Sequence, residues 1–211
     1  SFTGKYDGYP NDFVAFGTFN TALGKVTLDL NLNTVNGIAK GKYSGKVSLE
    51  NFDLGTLAGI KDLGRVTLSG KVIEGTGLNT ASLVADVTGQ LSSLTYKGYT
   101  YHNARVDGQL TGKLFNGTLD INDPNVDMHF EGIADFRASV PKLDFIAKID
   151  SLKLFELGFA KEPITVSGYF DSDLTGIKIN QLTGSLKGEK IKIVSKGDVY
   201  ALDSLSLLAD V

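Results

Sequence analysis

The alternation of apolar and polar positions is the dominant pattern along the chain. From Lys25 to Leu32, apolar side chains occupy every second position and polar side chains lie between them. Successive side chains of a β-strand point to opposite faces, so this pattern predicts a strand with one buried face. The alternation recurs along the whole chain. Helical patterning is limited to Gly55–Asp62 and Leu152–Phe159, both short enough to be irregular turns instead.

Short turn sequences separate the alternating segments. They contain Gly, Asn, Asp or Pro, and they are Tyr96–Gly98, Phe115–Gly117, Asn122–Asn125, Leu186–Gly188 and Ser195–Gly197. Such short connections join antiparallel neighbours, because parallel strands need long crossovers. The sequence therefore predicts an all-β fold, a long antiparallel sheet with few or no helices.

The second half of the chain repeats the first at an interval of about 100 residues. Segments around Leu49 and Ile149 resemble each other, as do those around Gly70 and Gly168. This repeat predicts N-terminal strands over 1–41, a first repeat over 42–140 and an incomplete second repeat over 141–211. The chain does not begin with Met, and we expect one continuous unit taken from a larger protein.

A Ser/Thr-Gly step recurs in the predicted strands and places glycine on their apolar face. It occurs at Gly45, Gly70, Gly89, Gly112, Gly168 and Gly184. Glycine on a packed face allows a sheet to bend, so we expect a curled sheet, a U-shaped trough with one apolar concave face. Leaving a large apolar side chain in water forfeits roughly 1.5–3 kcal/mol. The apolar face must therefore be covered by a barrel closure, a second layer or an apolar ligand.

Several segments resemble the central β region of TamB/AsmA-type proteins of Gram-negative bacteria. The resemblance lies in the Leu/Val-Ser/Thr-Gly-x-Val/Leu units and in Asn51–Gly55, Leu94–Asn103 and Phe115–Asn125. It covers most of the chain, best from about 42 to 136. These proteins form a long U-shaped sheet, a "β-taco", whose apolar concave face holds lipid acyl chains. The family has no catalytic residues.

The resemblance implies a segment of a periplasmic protein that is anchored in the inner membrane in its full-length form. Phospholipid acyl chains would be its ligand, and an outer-membrane barrel protein would be a partner through regions outside this chain. Lipid transport and outer-membrane biogenesis would be its function. The alternative is a structural or adhesive β-repeat of a bacterial surface protein, with a closed, dry core.

The candidate groove lining consists of the apolar positions of the predicted strands. These residues are Val66, Leu68, Val72, Leu83, Val87, Leu91, Leu110, Leu114, Val126, Met128, Phe130, Phe145, Ile149, Val166, Phe170, Ile177, Ile179, Ile191, Ile193, Leu205 and Leu207.

Other chemistry has little support in the sequence. The 21 basic and 24 acidic residues are interleaved, and no basic patch indicates nucleic acid binding. With no Cys there is no thiolate nucleophile or thiolate metal site. The segment Asp120–Asp127 could be a calcium loop, but Asn-Asp-Pro-Asn is a good turn sequence. We predict no enzyme, no metal and no cofactor.

The ends of the sheet are a further expectation. The outermost strands of an open sheet expose unpaired backbone groups, which are templates for pairing with another chain. We therefore expect self-association through an edge strand.

Overall fold

The computed structural model describes residues 1–59, 61–79, 81–176 and 182–209. Contacts divide the chain into two units, 1–112 and 113–211. The strands of unit 1 are β1 (Phe2–Tyr9), β2 (Asp12–Asn20), β3 (Lys25–Asn33), β4 (Lys42–Asp53), β5 (Leu63–Thr76), β6 (Val84–Tyr96) and β7 (Tyr99–Thr111). Unit 1 also contains a short 3-10 helix (Ile38–Lys40) and helix α1 (Leu54–Ala58). The strands of unit 2 are β8 (Leu114–Asp123), β9 (Val126–Asp135), β10 (Lys142–Lys153), β11 (Ile164–Thr175), β12 (Thr183–Ser195) and β13 (Asp198–Ala209).

The prediction of an all-β antiparallel fold is confirmed. The strand order is the chain order, and each unit is an antiparallel meander whose sheet is curled but not closed. Two predicted turns are wrong, since Phe115–Gly117 lies inside β8 and Leu186–Gly188 inside β12. Glycine in these segments serves packing between strands rather than chain reversal.

Strand register divides each unit into two faces, because directly opposite residues point to the same side. The apolar face of unit 1 is defined by four rows that run across β2 to β7. They are Phe19–Val26–Leu49–Leu68–Leu91–Ala104, Gly17–Leu28–Val47–Gly70–Gly89–Val106, Ala15–Leu30–Gly45–Val72–Val87–Gly108 and Phe13–Leu32–Tyr43–Gly75–Ala85–Leu110.

The apolar face of unit 2 has the same construction across β8 to β13. Its main rows are Leu119–Phe130–Ala147–Phe170–Gly188–Leu205, Gly117–Gly132–Phe145–Ser172–Leu186–Leu207 and Phe115–Ala134–Leu143–Leu174–Gly184–Ala209. The opposite side of each unit, its polar face, bears mainly polar and charged side chains.

The repeat is visible in strand length and in irregularities of the register. Strands β4 and β10 each have 12 residues and start at Lys42 and Lys142. The register of β4 with β5 shifts between Leu49 and Phe52, and that of β10 with β11 shifts between Ile149 and Leu152. A β-bulge reverses the alternation of faces. The shared bulge therefore returns the following apolar residues to the apolar face in both units.

The connections after β4 and β10 occupy equivalent places but differ in structure. In unit 1, Asp53 caps α1, since the Thr56 amide donates to Asp53 Oδ1 over 2.9 Å. In unit 2 the residues after Lys153 form turns rather than the predicted second helix. Both connections were helix candidates in the sequence, and only the first contains a five-residue helix.

Candidate apolar groove

The apolar face of unit 1 is a continuous hydrocarbon surface with half-buried side chains. Leu28, Val47, Leu68 and Leu91 are neither fully buried nor fully exposed. Complete burial is limited to a few positions, of which Val66 is 1% exposed. Neighbours in the sheet thus shield each side chain from the sides, and its outward end remains open.

The apolar face of unit 2 carries a cluster of phenylalanine rings. The ring centroids of Phe130 and Phe145 are 5.0 Å apart, and those of Phe115 and Phe130 are 6.5 Å apart. Glycine makes room beside them, because a Cβ at Gly132 would collide with the backbone and Cβ of Phe145. The rings therefore form an apolar ridge across three adjacent strands, β8 to β10.

Two adjacent glycines open a notch in the apolar face of unit 1. Gly70 and Gly89 lie directly opposite each other, between Val47 and Val106 of the same row. A Cβ at Gly70 would lie 3.6 Å from the Gly89 Cα, so the floor of the notch is backbone alone. The walls of this Gly70–Gly89 notch are valine and leucine side chains of the same row and of the two neighbouring rows.

The equivalent place in unit 2 is filled by an aromatic ring. Phe170 lies opposite Ala147, as Gly70 lies opposite Val47. A Cβ at Gly188, its neighbour on β12, would contact Phe170 at 3.4 Å. The ring of Phe170 therefore leans over Gly188, where unit 1 leaves a gap.

No described element forms a second layer over either apolar face. The main contacts of each strand are with its neighbours in the ladder, and α1 contacts β5. Of the three predicted covers, closure and a second layer are not found within these units.

The polar face is organised by direct cross-strand pairs. Lys25 contacts Glu50 at 2.7 Å, and His129 Nδ1 lies 2.6 Å from Asp120 Oδ1. These residues are also register partners in the sheet. The opposite charges of Lys25 and Glu50 stabilise the sheet by roughly 0.2–1 kcal/mol, and the contact between His129 and Asp120 is a hydrogen bond. The polar face thus satisfies its own groups with short-range partners.

Shallow depressions occur on the polar face of both units. That of unit 2 has a volume of about 390 Å³, with Ile146 and Tyr169 among its lining side chains. That of unit 1 has a volume of about 550 Å³ and is lined by Lys46, Lys71 and Thr88 among others. Both are open and carry charges of mixed sign.

Most predicted groove residues lie together on the apolar face of their own unit. In unit 1 these are Val66, Leu68, Val72, Val87, Leu91 and Leu110. In unit 2 they are Val126, Met128, Phe130, Phe145, Ile149, Val166, Phe170, Ile191, Ile193, Leu205 and Leu207. Leu83 immediately precedes β6, and Ile177 and Ile179 lie outside the described residues.

The assignment of Leu114 is wrong. It was expected to continue the strand of Val106 and Leu110, with Gly112 on the apolar face. Instead β7 ends at Thr111, Gly112 is in a turn with φ +62°, and β8 starts at Leu114. Leu114 lies opposite Asp135, and therefore on the polar face. The turn changes which positions of the alternating pattern face the apolar side. A prediction that continues the alternation of β7 through the turn therefore assigns Leu114 to the wrong face.

The predicted set also omitted residues of the apolar face. The rows contributed by β2 to β4, together with Leu119, Ile121 and Leu186, lie beside the predicted residues. The period-two pattern from Lys25 to Leu32 was the signal for the first group. Leu119 and Leu186 were hidden by the two incorrect turns.

The acidic segment 120–127 is a hairpin turn. Strands β8 and β9 are joined by Pro124 and Asn125, and the Asn125 amide donates to Asp123 Oδ1 over 2.9 Å. Within the described part of the chain, no group of three His, Asp or Glu residues could hold a metal ion.

Three shifted pKa values have local causes. The Arg137 side chain donates to both carboxylate oxygens of Asp135, at 2.9 and 2.7 Å, and holds the pKa of that carboxyl below its usual value. The Thr56 backbone amide lowers the pKa of Asp53 in the same way. Burial raises the pKa of Tyr43, whose ring lies over Gly75.

No protein family, curated protein or solved structure matches the chain. In the part of the chain that the structure describes, no helix is long and apolar enough to cross a membrane. The resemblance to TamB/AsmA-type proteins therefore rests on the residue patterns alone.

Proposed function

We propose that the chain is a lipid-carrying segment whose apolar faces hold phospholipid acyl chains. The observation that supports this proposal is an apolar face that no described element covers in either unit. Wetting such a face would cost roughly 1.5–3 kcal/mol for each large side chain, against a net stability of about 5–15 kcal/mol. An apolar ligand removes that cost.

The chemistry of the apolar face favours a hydrocarbon ligand. Apart from Tyr43 and Ser172, the side chains of its main rows are aliphatic or phenyl, and backbone groups between them are engaged in the strand ladders. A ligand with polar atoms at this surface would leave them without hydrogen bonds, at a cost of about 1–3 kcal/mol for each group. A buried methylene group gains about 0.8 kcal/mol. Acyl chains bring no polar atoms to this surface and bury many methylene groups.

The wider setting is part of the same proposal. A long one-sided sheet with an acyl-binding face suits a TamB/AsmA-like envelope protein that carries phospholipid through the periplasm. Such a protein would work with an outer-membrane barrel protein through regions outside this chain. The rival, a structural module with a dry core, requires a second layer that neither unit provides among its described residues.

The test is native mass spectrometry of the purified chain, with lipid extraction from the same sample. We expect phospholipid to remain bound to the folded protein. Leu68→Glu and Val166→Glu each place a carboxylate on an apolar face and should release it, because a charge in a hydrocarbon environment costs several kcal/mol. Ser69→Glu and Ser167→Glu are the matched controls, since the adjacent residue of a strand points to the polar face.

Circular dichroism separates loss of lipid from loss of fold. Lipid-free but folded Glu variants, together with lipid-bound controls, support the proposal. A wild-type chain that is stable and free of lipid contradicts it. The same holds if all four variants retain lipid equally.

A further inference from the structure

One polar side chain lies within the apolar face of unit 1. The four rows that define this face contain aliphatic residues, phenylalanine and glycine, with Tyr43 as the single exception. Tyr43 is half-buried and lies in β4 on the same face as Val47 and Leu49. Its phenol hydroxyl is therefore a hydrogen-bonding group in a surface made of hydrocarbon.

Gly75 determines where the Tyr43 ring lies. The two residues are directly opposite each other on β4 and β5. A Cβ at Gly75 would lie 2.6 Å from Tyr43 Cζ, so the ring crosses the glycine where a larger residue would not fit. Because Cζ carries the hydroxyl, the hydroxyl is held over β5, beside the small residue Ala85 that follows in the same row.

The Tyr43 hydroxyl has no hydrogen-bond partner among the described residues. Burial alone raises the pKa of this phenol. By contrast, the two tyrosines of β7, Tyr99 and Tyr101, have partners within the chain. In the free protein, solvent must therefore satisfy the Tyr43 hydroxyl.

Unit 2 has no equivalent of this hydroxyl in its main rows. Leu143 takes the place of Tyr43, one residue after the lysine that starts the strand in both units. Ser172, the polar residue of these rows, is fully buried and donates to the Leu143 carbonyl over 3.5 Å. A ligand on unit 1 therefore meets a hydrogen-bond donor that a ligand on the main rows of unit 2 does not.

A ligand that covers this row must bring a hydrogen-bond acceptor to Tyr43. The hydroxyl loses its water when hydrocarbon covers it, and a buried hydroxyl without a partner is destabilising. An acyl chain has no acceptor, whereas the ester and phosphate oxygens of a phospholipid lie together at one end of the molecule. Given the acyl-chain binding proposed above, on which this step rests, we infer that the Tyr43 hydroxyl donates to one of these oxygens and so positions the head group.

The place of Tyr43 also gives the direction of the acyl chains. Tyr43 belongs to the row nearest the start of β4, and Leu49 belongs to the opposite outer row of the four. The strand from Tyr43 to Leu49 spans about 20 Å. The hydrocarbon layer of one bilayer leaflet is about 15 Å thick, half of the bilayer core. An acyl chain whose ester lies at Tyr43 therefore has room to lie along the strands towards Leu49.

Tyr43→Phe tests the hydrogen bond, because it removes the hydroxyl and keeps the ring over Gly75. Binding of a short-chain phosphatidylcholine is followed through the amide shift of Gly89, which reports on the apolar face of unit 1. The variant should bind this phospholipid about fivefold more weakly, the usual effect of one neutral hydrogen bond. It should bind diphenylhexatriene, a fluorescent hydrocarbon without polar atoms, at least as tightly as the wild type.

Tyr9→Phe is the matched control, because it removes a hydroxyl from the polar face of the same unit. Tyr9 lies opposite Asp12, and its side chain is 76% exposed. This variant should leave both affinities unchanged.

Nitroxide labels on the phospholipid test the direction of the acyl chains. A nitroxide in the head group should broaden the amide signal of Gly75 more than that of Leu68, which lies in the row of Leu49 on the same strand. A nitroxide at the end of an acyl chain should do the opposite. The inverted pattern, or equal broadening of both amides, overturns the inference.

The two probes separate this inference from the proposed function. A wild-type chain that binds neither probe contradicts acyl-chain binding, and the role of Tyr43 falls with it. A wild-type chain that binds both probes supports acyl-chain binding. The role of Tyr43 alone is then overturned if Tyr43→Phe leaves phospholipid affinity unchanged, or lowers the affinities for both probes equally.

Discussion

The two units share one strand pattern but fill their apolar faces differently. Unit 1 leaves the Gly70–Gly89 notch open, whereas unit 2 places the ring of Phe170 over Gly188. The last residues of β4 and β10 differ as well. Asp53 caps α1, whereas Lys153 donates to the Pro124 carbonyl over 2.7 Å. Strand register and bulges therefore define the scaffold, and side-chain volume at a few positions defines the surface that a ligand meets.

The largest expected difference concerns two leucines 100 residues apart in the chain. Leu157 is 2% exposed, and Leu57 is 62% exposed. Leu157→Ala leaves a cavity and should lower the free energy of unfolding by about 2–5 kcal/mol. Leu57→Ala should change it by no more than about 0.5 kcal/mol. Urea unfolding of both variants measures the difference, and equal losses would show that the two connections are packed alike.

The notch should contribute directly to acyl-chain binding. Gly70→Phe copies the ring of unit 2 and should displace about two methylenes, which weakens phospholipid binding roughly tenfold. The added Cβ would lie 3.2 Å from the Thr88 carbonyl oxygen, which a small shift relieves. Binding of a fluorescent phospholipid is the measurement.

Lys71→Phe is the control for that substitution, because it adds the same ring to the polar face. Phe170→Ala, the reciprocal change, should open the equivalent gap in unit 2 and strengthen binding. A Gly70→Phe variant with unchanged affinity would mean that the notch is not occupied.

The smallest expected effect is the pH dependence of the α1 cap. The hydrogen bond from the Thr56 amide lowers the pKa of Asp53 below its ordinary 3.8. A carboxyl whose pKa is lowered on folding stabilises the fold above the unfolded-state pKa, and this contribution disappears as the pH falls through the folded-state pKa. The amide shift of Thr56, followed by NMR, should titrate with a midpoint below 3.8. A midpoint at or above that value would mean that the cap is not formed.

The sequence predicted those parts of the fold that depend on alternation. Period two identified the faces of most strands. The spacing of Leu49 and Ile149, on which the predicted repeat rests, matches the positions of the register shifts in β4 and β10. The sequence analysis misplaced strands and turns where glycine can stand either inside a strand or in a turn. Gly117 and Gly188 lie in strands beside larger residues, and Gly112 lies in a turn, yet all three stand in similar local sequences.

For a related reason, the alternating pattern could not predict which positions of the apolar face are filled by a large side chain. Alternation places Gly70 and Phe170 on the same face of their units without showing that they occupy equivalent rows. The equivalence follows from the register, in which both lie opposite residues 100 apart, Val47 and Ala147. Only paired strands reveal that one unit is open where the other is filled.

Site-specific photo-cross-linking along β4 tests the central claim most directly. A photoreactive amino acid placed in turn at Lys46, Val47, Ser48 and Leu49 samples the polar and apolar faces alternately, since Val47 and Leu49 belong to the apolar face. With radiolabelled phospholipid bound, the account predicts cross-links at Val47 and Leu49 and none at the other two positions. Equal labelling at all four positions, or labelling at Lys46 and Ser48 alone, would contradict it.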